Sequence, residues 1–316
     1  LTATESAYDT TCLRSALLGN LDNMFSNRSV LATFAFALAV GACTSSEFDE
    51  SSYESSEESP AGSAVSCDPE DLGKDDTIEI VTAYYVVDGE LGDTCLGEAD
   101  ATVENAWQIL ADLTPAEQLN DLALFVGFQS SEAEDEVTLA YVNSVDDNSL
   151  FQMSVNVAEA DIDDSELALT LAHEFSHVFT ATSPELDRDE ESDSCATYWS
   201  GDGCYVEGGL LASWIDDFWR PDLIEQVDPN AEATVADGQE RCDLHPQFFG
   251  AYAATNPEED FAEAFSAFVL RVPAMSDDQQ SKLDWIAGKP GLAEFRDRAA
   301  AAGYGPLDHS FDRCGQ

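Results

Sequence analysis

Residues 163–179 read D-D-S-E-L-A-L-T-L-A-H-E-F-S-H-V-F, and the rest of the chain can be organised around this stretch. Asp163 or Asp164 can cap a helix here, and Glu166 falls in its first turn, where the helix dipole favours an anion. Leu167, Leu169, Leu171, Phe175 and Val178 supply much of the apolar surface. His173 and His177 are four residues apart, so both imidazoles lie on one helix face and can reach one metal ion. Glu174 points to an adjacent side, close enough to touch a water on that ion. The whole chain holds only four His, and two of them flank this Glu. Two surface His on an amphipathic helix are the plainer alternative. The apolar run before the motif and the uncharged Phe175-Ser176 inside it argue against that.

A catalytic zinc takes three protein ligands and keeps one position open. No third His follows within Val178–Asp187, His245 stands in a Pro-bordered loop, and His309 lies near the C-terminus. The better source is Asn256–Leu270, N-P-E-E-D-F-A-E-A-F-S-A-F-V-L. Pro257 suits the first turn of a helix, and Phe261, Ala262, Phe265, Phe268 and Val269 make its buried side. Carboxylates near such a side are costly unless they are paired or bind a cation. Glu259 and Glu263 are four apart on one face. Glu259 can ligate zinc while Glu263 accepts a hydrogen bond from a ligand His. Glu258 and Asp260 are neighbouring alternatives, or simply solvated first-turn charges.

HEFSH followed by EDFAEAF resembles the gluzincin metallopeptidases, particularly the group containing anthrax lethal factor and the clostridial Pro-Pro endopeptidases. It is also similar to exported bacterial zinc peptidases with an EDFAE-type helix. The resemblance implies a zincin-like α+β fold and one catalytic Zn2+ held by His173, His177 and Glu259. It further implies Glu263 as the supporting carboxylate, Glu174 as general base and Tyr252, seven residues before Glu259, as the oxyanion donor. Without the family, Tyr252 reads as an ordinary core or surface aromatic. The likeness covers residues 137–270 and is sharp only in the two motifs. Eighty-one residues separate His177 from Glu259, an insert placed to line or shield a substrate cleft.

Upstream, Thr77–Val87 has the β-branched and aromatic content of a strand, and residues 99–112 have helical spacing through Val103, Ala106, Trp107 and Leu110. Thr114-Pro115-Ala116-Glu117 has the form of a helix start. Leu122–Phe128 reads as a strand. Val137–Ser144 and Leu150–Val157 flank Asp146-Asp147-Asn148 as an antiparallel hairpin, and their alternation predicts one face on a core and the other in water. Later helices are expected at Gly209–Arg220, stopped by Pro221, at Pro257–Leu270, from Ser276-Asp277-Asp278 onward, and at Leu292–Ala302. A mixed sheet packed on the HEFSH helix and a mainly helical second half make the expected class α+β.

The N-terminal part reads differently. Residues 24–43, M-F-S-N-R-S-V-L-A-T-F-A-F-A-L-A-V-G-A-C, have the Arg28 and apolar run of a signal peptide, too short to span a bilayer. Val40-Gly41-Ala42-Cys43 resembles a bacterial lipobox, which implies lipidation at Cys43. Residues 1–23 then form an upstream extension, 24–42 a signal peptide, 43–66 a Ser/Glu-rich disordered tether, and 67–316 the folded domain. Setting aside Cys12 and Cys43, six cysteines remain and suit an oxidising compartment, with the guessed pairs Cys67–Cys95, Cys195–Cys204 and Cys242–Cys314.

The chain carries 64 Asp and Glu against 12 Lys and Arg, for a formal net charge of -52. That excludes nucleic-acid binding through basic patches, and any membrane attachment must come from a lipid or an apolar segment; with the lipobox-like Cys43, a lipid anchor only is expected. The expected protein is an exported, surface-anchored or periplasmic monomer whose partner is a polypeptide substrate. A non-catalytic zinc-containing surface module and a zinc amidase acting on cell-wall peptides are the alternatives. The acidic loop 185–195, E-L-D-R-D-E-E-S-D-S-C, is a weak candidate for Ca2+, since it lacks the spacing and Gly of an EF-hand.

Overall fold

The computed structural model describes residues 65–75, 77–130, 138–145, 150–160, 162–229, 234–309, 311 and 314. Residues 1–64, on which the expected extension, signal peptide, lipidated Cys43 and tether fall, lie outside the described residues, as do Val137 and Asp146-Asp147-Asn148. Five strands form one mixed sheet: β1 (Ile78–Val87), β2 (Glu90–Leu96), β3 (Leu122–Ser130), β4 (Ala140–Ser144) and β5 (Phe151–Asn156). Their spatial order is β2-β1-β3-β5-β4, with β3 and β5 parallel and the other neighbours antiparallel. The first hairpin turns on Asp88-Gly89, both at positive φ (53° and 73°), which suits the right-handed twist of the flanking strands. This Asp-Gly signal stood in the sequence, and β2 was missed beside it.

The alternation expected of the β4–β5 hairpin does not leave a wet face. β5 lies inside the sheet and every one of its residues is buried. Residues 65–75 cover the second face: Leu72 is buried there, and Gln152 Nε2 donates to its carbonyl at 3.1 Å. Gln152 also donates to Ser154 Oγ (2.8 Å), and Asn156 Nδ2 donates to the Thr138 carbonyl (3.0 Å). The polar side of the strand is thus satisfied internally rather than by water. A disulfide from Cys67 to Cys95 ties this cover to β2.

α1 (Ala101–Leu113) is capped by Asp100 and buries Val103, Ala106, Trp107 and Leu110. Thr114 ends this helix, and Pro115–Glu117 lead only into a 3-10 turn at Gln118–Asp121, because Leu122 already enters β3. Four residues cannot meet the cost of nucleating a helix. α2 (Asp164–Thr180) is capped by Asp163 and buries all of Leu167–Val178. A two-residue ribbon pairs β6 (Leu186–Asp187) with β7 (Cys204–Tyr205), and a Cys195–Cys204 disulfide closes the loop between them.

α3 (Leu210–Phe218) stops before Arg220. Pro221 starts the short α4 (Pro221–Ile224) instead, at a position where its missing N–H costs nothing. The sequence reading missed α5 (Val235–Leu244), whose Cys242 is joined to Cys314. α6 (Pro257–Leu270), α7 (Asp277–Ala287) and α8 (Leu292–Ala302) complete the chain, with Asn256 and Ser276 capping the first two. The architecture is α+β and zincin-like, a small mixed sheet packed with helices and followed by a largely helical half. Among the described residues, no helix is long and apolar enough to cross a membrane.

α2 and α6 are clamped face to face by aromatic side chains. Phe179 meets Phe265 at 5.1 Å between centroids and Phe261 at 6.1 Å, while Phe295 of α8 meets Phe265 at 5.1 Å. Phe265 is fully buried in the middle of this cluster. Phe265→Ala is expected to destabilise the fold by about 3–5 kcal/mol, through lost transfer energy plus a cavity. The urea midpoint measures it, and an unchanged midpoint would contradict this account of the clamp.

Candidate metal centre

The clamp sets the face of α2 that carries HEFSH against the first turns of α6. His173 Nε2 lies 3.0 Å from Glu259 Oε2, His177 Nε2 lies 3.5 Å from the same oxygen, and the two imidazole nitrogens are 3.4 Å apart. One ligand-type atom from each of the three residues lies within 4.8 Å of the others, and all three residues are buried. Asn256 fixes the start of α6 by accepting the Glu259 N–H at 2.9 Å. Among the described residues no other group of His, Cys, Asp or Glu converges in this way. No such group lies in the acidic loop 185–195, the Ca2+ candidate of the sequence.

Glu174 is 3% exposed and Tyr252 is 2% exposed, so both stand with the triad out of water. The Tyr252 ring is 6.1 Å from that of His173, and its hydroxyl is within electrostatic reach of the Glu259 carboxylate. Glu263 is buried one turn after Glu259, within electrostatic reach of Tyr252. His309 is elsewhere, its Nδ1 2.8 Å from Glu166 at the start of α2. His245 ends α5.

Burial and the neighbouring Glu259 charge raise Glu174 well above the usual carboxylate range. Burial lowers His173, against the pull of Glu259. Glu259 itself resists its burial: His177 and His173 hold it below the ordinary range. Burial lifts the Tyr252 hydroxyl far above its usual value, and the surrounding carboxylates add to the effect. Three carboxyl groups, Glu174, Glu259 and Glu263, are thus gathered in one dry place with two imidazoles. That concentration is costly unless a cation offsets it. Two nitrogen donors and one carboxylate oxygen suit zinc, with a further position left for water. His173, His177 and Glu259 fit one such ion.

The two acidic neighbours of Glu259 go elsewhere. Glu258 is buried within electrostatic reach of Tyr198, and burial pushes its carboxyl up to about 8. Asp260 is wholly buried and salt-bridged to Lys282 at 2.5 Å, so it is neither a ligand nor a solvated charge. Sequence reasoning missed this pair. Its signal was Lys282 on the inward spacing Gln279, Lys282, Ile286 of α7, in a chain with three Lys.

No protein-family profile matches the chain, and no curated protein matches it. Among solved structures it is similar to a crystal structure from Bacteroides caccae, described provisionally as a zinc-binding metallo-peptidase. The identity is 16%, the match covers 63% of this chain and 64% of that one, and the TM-score is 0.25. An overlap of that size assigns nothing, and the functional conclusion rests on the chain's own residues: a buried His-His-Glu set fit for one zinc ion.

Proposed function

We propose that the protein is an exported, surface-anchored zinc endopeptidase of the gluzincin kind, hydrolysing peptide bonds. The observation that carries this is Glu174, buried beside the His173–His177–Glu259 triad and supplied by the same helix turn as two of its members. A site that served only to hold metal has no need of a carboxyl placed there. Bound zinc supplies Lewis acidity and makes water more acidic. Glu174 accepts the proton of the attacking water and returns it to the leaving amine. Tyr252, buried beside the triad, donates a hydrogen bond to the tetrahedral oxygen. Glu263, buried one turn after Glu259, is the supporting carboxylate of the site. The three disulfides favour an oxidising compartment, and the lipobox-like Val40–Cys43 favours a lipid anchor at Cys43.

Zinc content of the purified chain, followed by cleavage of a peptide library, tests the reading. One zinc per chain with library cleavage supports it; zinc with no cleavage moves the non-catalytic module ahead. Tyr252→Phe is expected to lower kcat about 10²–10³-fold with little change in KM, because the bond forms mainly in the transition state. An unchanged kcat would remove Tyr252 from the reaction.

A further inference from the structure

Asp260 makes three hydrogen bonds from a position with no exposed surface. Its Oδ1 accepts from Lys282 Nζ at 2.5 Å. Its Oδ2 accepts from two indoles, Trp214 Nε1 at 3.0 Å and Trp219 Nε1 at 2.9 Å. Lys282 Nζ in turn lies 4.7 Å from the Phe248 ring centroid and 5.4 Å from that of Trp214, placing the ammonium in an aromatic box. Trp214, Trp219 and Phe248 all belong to the insert between the two ligand motifs, and Lys282 belongs to α7. Arg241, also in the insert, donates to the carbonyls of Ala254 and Thr255, immediately before α6 begins.

A buried ion pair is weak evidence for stability, because well-packed apolar groups often do as well. Its better-supported use is to fix register. Indole N–H groups have fixed directions, and two of them converging on one oxygen hold Asp260 from two sides. α6 is a rigid helix, so holding Asp260 also sets the rotation of the helix about its axis. A rotation of about 20° would swing a side-chain tip, 5–6 Å from the axis, by about 2 Å. Metal–ligand distances tolerate only about 0.2 Å. The direction of Glu259, one residue away, therefore depends on this anchor.

We propose that Asp260, with Lys282, Trp214 and Trp219, positions Glu259 as a metal ligand. The insert is then part of the scaffold of the metal centre rather than only a wall of the cleft. This rests on the zinc reading of His173, His177 and Glu259. The test compares full-length wild type with Trp219→Phe and with Asp260→Asn/Lys282→Met. The first variant removes one hydrogen bond but keeps a ring. The second removes both charges while leaving a carbonyl to accept the indole donors. Zn2+ affinity by chelator competition, the absorption spectrum with saturating Co2+, and the unfolding midpoint of the metal-free protein are measured for each.

Zinc affinity is expected to fall about 10–100-fold in the double variant and by a smaller factor in Trp219→Phe, as for partners that orient ligands elsewhere. The cobalt bands should shift in both variants. Lower midpoints with wild-type affinity and wild-type cobalt spectra would make the pair merely structural and overturn the inference. If the double variant does not fold, Trp219→Phe decides by the same two readouts. Wild type that takes up neither metal would instead refute the zinc reading, and this inference with it.

Discussion

Glu174→Gln is expected to bind one zinc ion as wild type does and to hydrolyse peptides about 10²–10⁴-fold more slowly. Glutamine has the shape of the side chain it replaces, and it brings no charge into a site where Glu174 is 3% exposed. The packing of α2 should therefore survive. What is lost is a group that can take a proton and give it back. Zinc content and turnover of a library-derived peptide, measured on one preparation, separate the two functions. A wild-type rate would show that some other group is the base. Loss of zinc together with activity would show that Glu174 serves the architecture of the centre, and the peptidase mechanism would need another proton carrier.

Glu259→Ala should lose zinc. Removing an outer partner of a ligand costs about 10–100-fold in affinity, and removing the ligand itself should cost more. Its carboxylate is the one oxygen shared by both imidazoles, 3.0 Å from His173 and 3.5 Å from His177. The Asn256 cap binds the backbone N–H of residue 259, not its side chain, so α6 should still begin at the same place. Chelator competition against wild type gives the measurement, with far-ultraviolet circular dichroism to verify the fold. Zinc held as tightly without Glu259 would refute the ligand set, and the remaining candidates would have to come from the other buried carboxyls.

Much of this was local enough to read directly. The Asp163 cap, the apolar run and the four-residue His spacing all lie within α2, where one helical repeat governs them. Pro257 and Leu270 likewise bound a helix whose start chemistry stands in adjacent residues. The failures were of two kinds. Pro115–Glu117 has the chemistry of a helix start, but the strand that follows leaves no room for a helix. The polar side of β5 looks solvent-facing until residues 65–75, some eighty positions away, fold over it. Neither outcome is encoded in a short window.

The same division runs through Glu258-Glu259-Asp260. The amino-acid order alone determined a helix beginning at Pro257 and a His pair able to hold a metal. It also placed a cluster of acidic residues within the first turn of that helix. Successive residues on a helix point about 100° apart, so three neighbouring carboxylates must face three directions. Only the packed elements decide which direction is which. Glu258 is buried within electrostatic reach of Tyr198, the His pair of α2 receives Glu259, and the indoles of Trp214 and Trp219 with Lys282 receive Asp260. The physical reason is burial. Glu259 and Asp260 leave water where the surrounding elements present a donor or a cation, and those come from residues 22 to 86 positions away in the chain.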